Sequence, residues 1–202
     1  MKTIAPVLAG IVLAAVSVSL QAALLTIQPP TKSVAVGVTF EVAVTVSGLG
    51  VGAAPSLSVF DLDLTYDAGL LQFDSLTFGD PVLGDQLDLS TPAQGTLTAS
   101  GSPVPGVVNH FELSFDAPAT LDSLQPDAFT LSVFRFTALS AGVSPLDLVV
   151  NSFGDSPGAP LDATVQGGSV TVTVVPEPTL TGLVFALGPA TWVVLRRRKA
   201  RR

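Results

Sequence analysis

The sequence predicts an all-β fold, a sandwich or jelly roll of nine or ten short strands. Three observations predict it. Apolar residues alternate with period two over S-V-A-V-G-V-T-F-E-V-A-V-T-V-S-G, where Val34, Val36, Val38, Phe40, Val42, Val44 and Val46 all take even positions. Short runs rich in Val, Thr, Leu and Phe then recur along the chain between Gly- and Pro-containing turns. The stretch between the two ends shows no convincing amphipathic helix.

Each element follows from local pattern. Gly37 divides the first run into two strands with a bend or bulge, and Gly48 to Pro55 is a loop. In V-F-D-L-D-L-T-Y-D, Val59 to Asp67, one face holds Phe60, Leu62, Leu64 and Tyr66, and the other Asp61, Asp63 and Thr65. Asp67-Ala68-Gly69 turns the chain, and Leu71 to Phe78 resumes as a strand. Further strands are predicted at Gly95–Ala99, Val107–Phe115, Phe129–Ala138, Leu146–Val150, Leu161–Val165 and Ser169–Val175. In N-H-F-E-L-S-F, Phe111, Leu113 and Phe115 read as the inward face, which turns His110 and Glu112 outward. The phase slips after Val133 in F-T-L-S-V-F-R-F, marking either a bulge or a central strand buried on both faces. Asp116 to Asp127 has room for one short helical turn.

The two ends read differently. Met1-Lys2 is a short positive start, Ile4 to Leu20 is almost wholly apolar, and small residues follow at Gln21-Ala22-Ala23. This is the pattern of a secretory signal peptide over residues 1–23, removed by signal peptidase near Ala22 or Ala23; the alternative is an uncleaved N-terminal anchor. Leu20 sits poorly at the minus-three position for a cut after Ala22. At the other end, residues 179–195 carry no charge and would make a helix of about 26 Å, at the short end of what spans a bilayer. Trp192 lies one turn before the basic cluster Arg196, Arg197, Arg198, Lys199, Arg201 and Arg202, which the positive-inside rule places in the cytoplasm. Both ends then put residues 24–175 outside the inner membrane.

Composition agrees with export. Residues 24–175 hold fifteen Asp and Glu against two bases, Lys32 and Arg135, or about −13, within a whole-chain charge of −7. An acidic body of this kind does not suit nucleic acid. There is no cysteine, so no disulfide, thiol nucleophile or zinc–thiolate site is available, and the core alone must hold the fold.

Pro176-Glu177-Pro178, then the apolar span, then the arginine-rich end, resembles in full the tripartite PEP-CTERM sorting signal of Gram-negative bacteria, here over residues 176–202. The resemblance implies recognition by exosortase, a membrane protease-transpeptidase, cleavage near the P-E-P motif, and association with exopolysaccharide production. Two prolines around one glutamate break both helix and strand, and so hold an accessible extended segment. A bare stalk with a plain membrane anchor is the alternative. The body, in turn, is similar to cohesin-type domains over about 150 residues. The likeness is carried by V-x-V-G-V-T-F-E-V-A-V-T-V, by V-F-D-L-D-L-T-Y-D-A-G-L-L-Q-F with the later F-G, by F-T-L-S-V-F-R-F-T-A-L-S-A-G and by the closing G-S-V-T-V. It implies a jelly-roll sandwich related to carbohydrate-binding modules, a fold whose cellulosomal members bind dockerins. The chain holds no dockerin-like calcium repeat and no second cohesin-like unit.

Chemistry is sparse. His110 is the only histidine, there is no G-x-S-x-G, and no acidic pair is marked out among the fifteen carboxylates. Calcium has two weak candidate sets, Asp61, Asp63 and Asp67, and Asp80, Asp85 and Asp88, neither matching the D-x-D-x-D-G loop. Solvated acid faces explain them more simply, and no cofactor is expected. The planar Trp and Tyr platform of sugar-binding modules is missing, with Phe153 in N-S-F-G-D-S-P-G the best exposed loop aromatic. The expectation is a non-catalytic exported protein, reaching the cell surface or extracellular matrix from an inner-membrane-anchored precursor. Its sandwich would be a structural or interaction module linked to exopolysaccharide or to another envelope protein. The alternatives are a carbohydrate- or dockerin-binding module and, last, a glycan-active enzyme.

Overall fold

The structure, a computed structural model, describes residues 22–174. The Pro176-Glu177-Pro178 motif, the apolar span, the basic cluster and all but the last two residues of the signal-peptide segment lie outside the described residues. Among the described residues no helix is long and apolar enough to cross a membrane.

Among the described residues eleven strands form two facing sheets, accompanied by one short helix. The five-stranded sheet holds β1 (Ala23–Gln28), β3 (Thr39–Ser47), β5 (Leu71–Phe78), β8 (Ala128–Ala138) and β10 (Ala163–Gln166), in the order β10-β1-β3-β8-β5. The six-stranded sheet holds β2 (Thr31–Ala35), β4 (Leu57–Thr65), β6 (Thr96–Gly101), β7 (Val107–Ser114), β9 (Gly142–Asp155) and β11 (Gly168–Thr173), in the order β2-β11-β9-β4-β7-β6. Helix α1 (Pro118–Leu124) falls where one helical turn was expected, with proline in its first turn and Leu121 buried.

The chain ends switch sheets together. β1 runs parallel to β10, and β2 parallel to β11. The crossing points are Pro29-Pro30 on one segment and Gly167 on the other, where a Cβ would meet the Leu146 carbonyl at 2.8 Å. Gly37 divides the long valine run more sharply than a bend: with φ +83° it turns the chain from β2 in one sheet to β3 in the other. β1 was not among the expected strands. Its five-residue run L-L-T-I-Q directly follows the signal-like segment, and only pairing with β3 and β10 reveals it as a strand. Ala23 opens it, buried, with its N–H donating to the Asp162 carbonyl at 2.9 Å.

Between the sheets lies one apolar core. Leu25, Ile27, Leu57, Phe60, Leu62, Leu64, Phe134 and Phe136 are fully buried in it. Phe136 stacks on Phe40 at 6.0 Å and meets Tyr66 edge-on at 5.0 Å. The phase slip in β8 is a bulge, but it sits two residues earlier than the pattern suggests. Thr45 pairs with Thr130 and Val44 with Ser132, so Leu131 is the extra residue and both Leu131 and Ser132 are buried.

Two expectations about facing are overturned. His110 and Glu112 point inward, 0% and 1% exposed, while Phe111 and Leu113 point outward and Phe115 is 56% exposed. The reason is the β4–β7 register, which sets Phe60 opposite Glu112, Leu62 opposite His110 and Leu64 opposite Val108. Directly paired residues share a face, so the three large apolar residues of β4 dictate which side of β7 is buried. Phe153 is likewise no exposed loop aromatic: it lies in β9 opposite Phe60, 5% exposed.

Candidate functional site

The outer face of the six-stranded sheet gathers most of the unexplained chemistry. Register places three rows across β4, β7 and β6: Val59–Leu113–Leu97, then Asp61–Phe111–Ala99, then Asp63–Asn109–Gly101. On β9, Ser152 stands opposite Asp61 and Val149 opposite Asp63. The first row is apolar, and Leu97 (51%) and Val149 (49%) are widely exposed. An exposed apolar patch rimmed by polar groups is the usual mark of a binding surface.

The acidic part is organised by one amide. Asn109 Nδ2 donates to Asp61 Oδ1 at 2.6 Å and to Asp63 Oδ1 at 2.7 Å. Asn151 Nδ2 approaches Asp61 Oδ1 at 3.4 Å from β9, beside a register break in the β4–β9 ladder. Next to them an open groove of about 620 Å³ is lined by Asp63, Asn109, Asn151, Ser100 and Ser102. Asn109, Asn151 and Leu97 were not singled out in the sequence, and Phe111 and Leu113 were read as inward. N-H-F-E-L read with the opposite phase would have placed Asn109, Phe111 and Leu113 outward; no local signal marks Asn151 or Leu97.

The remaining candidate calcium ligands are not brought together. Asp67 Oδ1 accepts from the Gly69 N–H at 2.8 Å in the turn after β4. Asp80 accepts backbone N–H bonds from Val82 and Leu83 through Oδ1 and from Thr130 through Oδ2. Burial works against ionising Asp80, but those N–H donors outweigh it and hold its pKa down at about 2. Asp85 caps Leu87 and Asp88 caps Gln94 and Gly95, all through backbone N–H. These carboxylates serve mainly as local turn caps, with Asp80 also tying its loop to the start of β8 through Thr130. Among the described residues no three His, Asp or Glu side chains converge as a metal would require.

Beneath the outer face lies an uncharged layer of titratable groups. The His110 ring meets Phe134 edge-on at 4.9 Å and Phe60 at 5.5 Å, and among the described residues neither ring nitrogen has a hydrogen-bond partner. Burial holds its pKa down at about 4, although Asp61 and Asp63 pull the other way from across the sheet. Burial, reinforced by Asp85, pushes Glu112 up to about 8. At neutral pH both are therefore uncharged. The neutral imidazole is thus packed as a core side chain between Phe60 and Phe134.

Comparison with solved structures supplies the fold's relatives. The sixth cohesin of scaffoldin B from Acetivibrio cellulolyticus, solved in complex with a Cel5 dockerin, is 21% identical with a TM-score of 0.58, over 75% of this chain and 99% of that one. The cohesin module of a family 33 glycoside hydrolase from Clostridium perfringens is 16% identical with a TM-score of 0.58, over 77% and 99%. A non-cellulosomal cohesin from the archaeon Archaeoglobus fulgidus is 13% identical with a TM-score of 0.53, over 75% and 91%. No protein-family model and no curated protein sequence matches the chain. The described residues thus have a cohesin-like β-sandwich fold.

Proposed function

We propose that this chain is an exported, non-catalytic binding module that captures another protein on the outer face of β9, β4, β7 and β6. The observation that carries the proposal is the juxtaposition there of exposed Leu97 and Val149, outward Phe111 and Leu113, and the Asn109-bridged pair Asp61 and Asp63. Apolar anchors supply affinity and the bridged carboxylates supply orientation. Structural neighbours solved as cohesin–dockerin complexes support a partner of the dockerin kind. The tail adds the location: Pro176-Glu177-Pro178, the apolar span and the arginine-rich end direct the precursor to exosortase, and the module to the cell surface or an exopolysaccharide matrix.

The test is capture from an envelope extract of the source cells by the immobilised chain. A protein retained by the wild type and lost with Phe111→Asp and Leu113→Asp supports the reading. Capture that these variants leave intact overturns it. A second reading rests on the 620 Å³ groove, whose Asp63, Asn109 and Asn151 offer donors and acceptors to sugar hydroxyls. It predicts binding of purified exopolysaccharide that Asn109→Ala weakens and Leu113→Asp does not.

A further inference from the structure

Among the described residues the two sheets end in four edge strands, β10 and β5 on one, β2 and β6 on the other. An open edge is a template for another strand, and folded proteins blunt it with short length, charge, proline or a bulge. Three edges here carry such devices. β10 is four residues long. β5 has Asp74 in mid-strand and a register break between Phe73 and Ser75. β2 follows Pro29-Pro30 and carries Lys32. β6 carries none: T-L-T-A-S-G is uncharged and pairs with β7 in unbroken register. It is exposed from Leu97 to Gly101. Thr98 and Ser100, on the inner side opposite Glu112 and His110, are exposed as well, so among the described residues no strand of the other sheet overhangs this edge.

Charge indicates the occupant. From Leu89 to Phe111 the chain has no Asp, Glu, Lys or Arg, in a body where fifteen acids face two bases. Two copies repel one another across acidic surface, but can meet through this uncharged segment. An antiparallel edge pair is also its own complement, because a two-fold axis lets each strand supply the donors and acceptors the other lacks. We infer that β6 is a dimerisation edge, at which two copies of this chain pair antiparallel with Thr98 opposite Thr98 and join their six-stranded sheets into one. The two-fold axis stands perpendicular to the joined sheet, so both outer faces point the same way. The dimer is then a bivalent version of the surface under Proposed function, although the pairing itself does not depend on that reading.

The test is sedimentation of the full chain in mild non-ionic detergent over a range of concentrations, with Thr98→Lys, Thr98→Asp and their equimolar mixture. A concentration-dependent dimer in the wild type, monomers for each variant alone, and a dimer restored on mixing are expected, since like charges oppose each other in each variant and opposite charges in the mixture. A wild-type monomer throughout overturns the inference. So does a dimer that both variants retain, which would place association in the apolar tail or on another face, and so does a mixture that fails to re-form the dimer. Should Thr98→Lys fail to fold, hydrogen exchange of the wild type decides: β6 amides protected more strongly at high concentration support the edge, and protection independent of concentration refutes it.

Discussion

Leu62 and His110 stand directly opposite each other across the antiparallel β4–β7 ladder, so an imidazole shares the inner face with a fully buried leucine. The pair explains how this acidic protein hides its one histidine and how that histidine couples stability to pH. With its folded pKa near 4 against an ordinary 6.5, His110 stays neutral in the fold while the unfolded chain takes up a proton. Its contribution is intact above pH 6.5 and is lost as pH falls toward 4, at about 1.4 kcal/mol per pH unit. His110→Leu is expected to remove that acid-side loss. Urea midpoints at pH 6.5 and 4.5 check it: the variant should gain stability on acidification while the wild type stays nearly level.

Glu112 works in the opposite sense. Its folded pKa near 8 against an ordinary 4.5 means that the fold keeps a proton the unfolded chain has released. Stability is then fully present below pH 4.5 and declines as pH rises toward 8. Between pH 4.5 and 6.5 the two residues offset each other, and above 6.5 only Glu112 acts. Glu112→Gln is expected to flatten the decline between pH 6.5 and 8. Thermal melts across that range check it, and a decline unchanged from wild type would remove Glu112 as its cause.

Asn109 holds two carboxylates together on the half-exposed outer face. Asn109→Ala leaves Asp61 and Asp63 to repel each other, at a cost of about 1 kcal/mol. High salt or a second change, Asp63→Asn, should recover most of it. Denaturation midpoints of the single and double variants, at two ionic strengths, give the coupling directly.

Phe111 faces outward beside Asp61, so truncating it removes little core. Phe111→Ala is expected to keep folding stability within about 1 kcal/mol. Partner affinity should fall roughly 30-fold, about 2 kcal/mol, as for a central aromatic anchor. Capture of the same partner by wild type and variant, with melting curves alongside, separates the two effects.

The termini predict a mass. β1 begins at Ala23, whose backbone N–H is bonded to Asp162. Processing that spares the strand therefore leaves Ala23 in place, cutting after Ala22 rather than after Ala23. Intact mass of the protein recovered from cells and medium is expected to start at Ala23 and to end near Glu177. A mass that retains Arg202 would make the tail a plain membrane anchor.

Local pattern alone determined much of this protein. The even-position valines and phenylalanine of β2 and β3 and the D-L-D-L alternation of β4 specify strands and faces, because a period of two has one apolar side to bury. The charge asymmetry between body and tail is likewise plain in the residues. Tertiary structure decided the rest, above all which face of β7 is inside. V-V-N-H-F-E-L-S has a large residue on each side, so its own pattern is ambiguous, and pairing with Phe60, Leu62 and Leu64 settles the matter from outside the strand. That one choice buries His110 and Glu112, sends Phe111 and Leu113 outward, and brings Asn109 between two aspartates 46 and 48 residues away in sequence. A short segment cannot encode such a site by itself, because the free energy that orients it is the burial of a neighbouring strand's side chains.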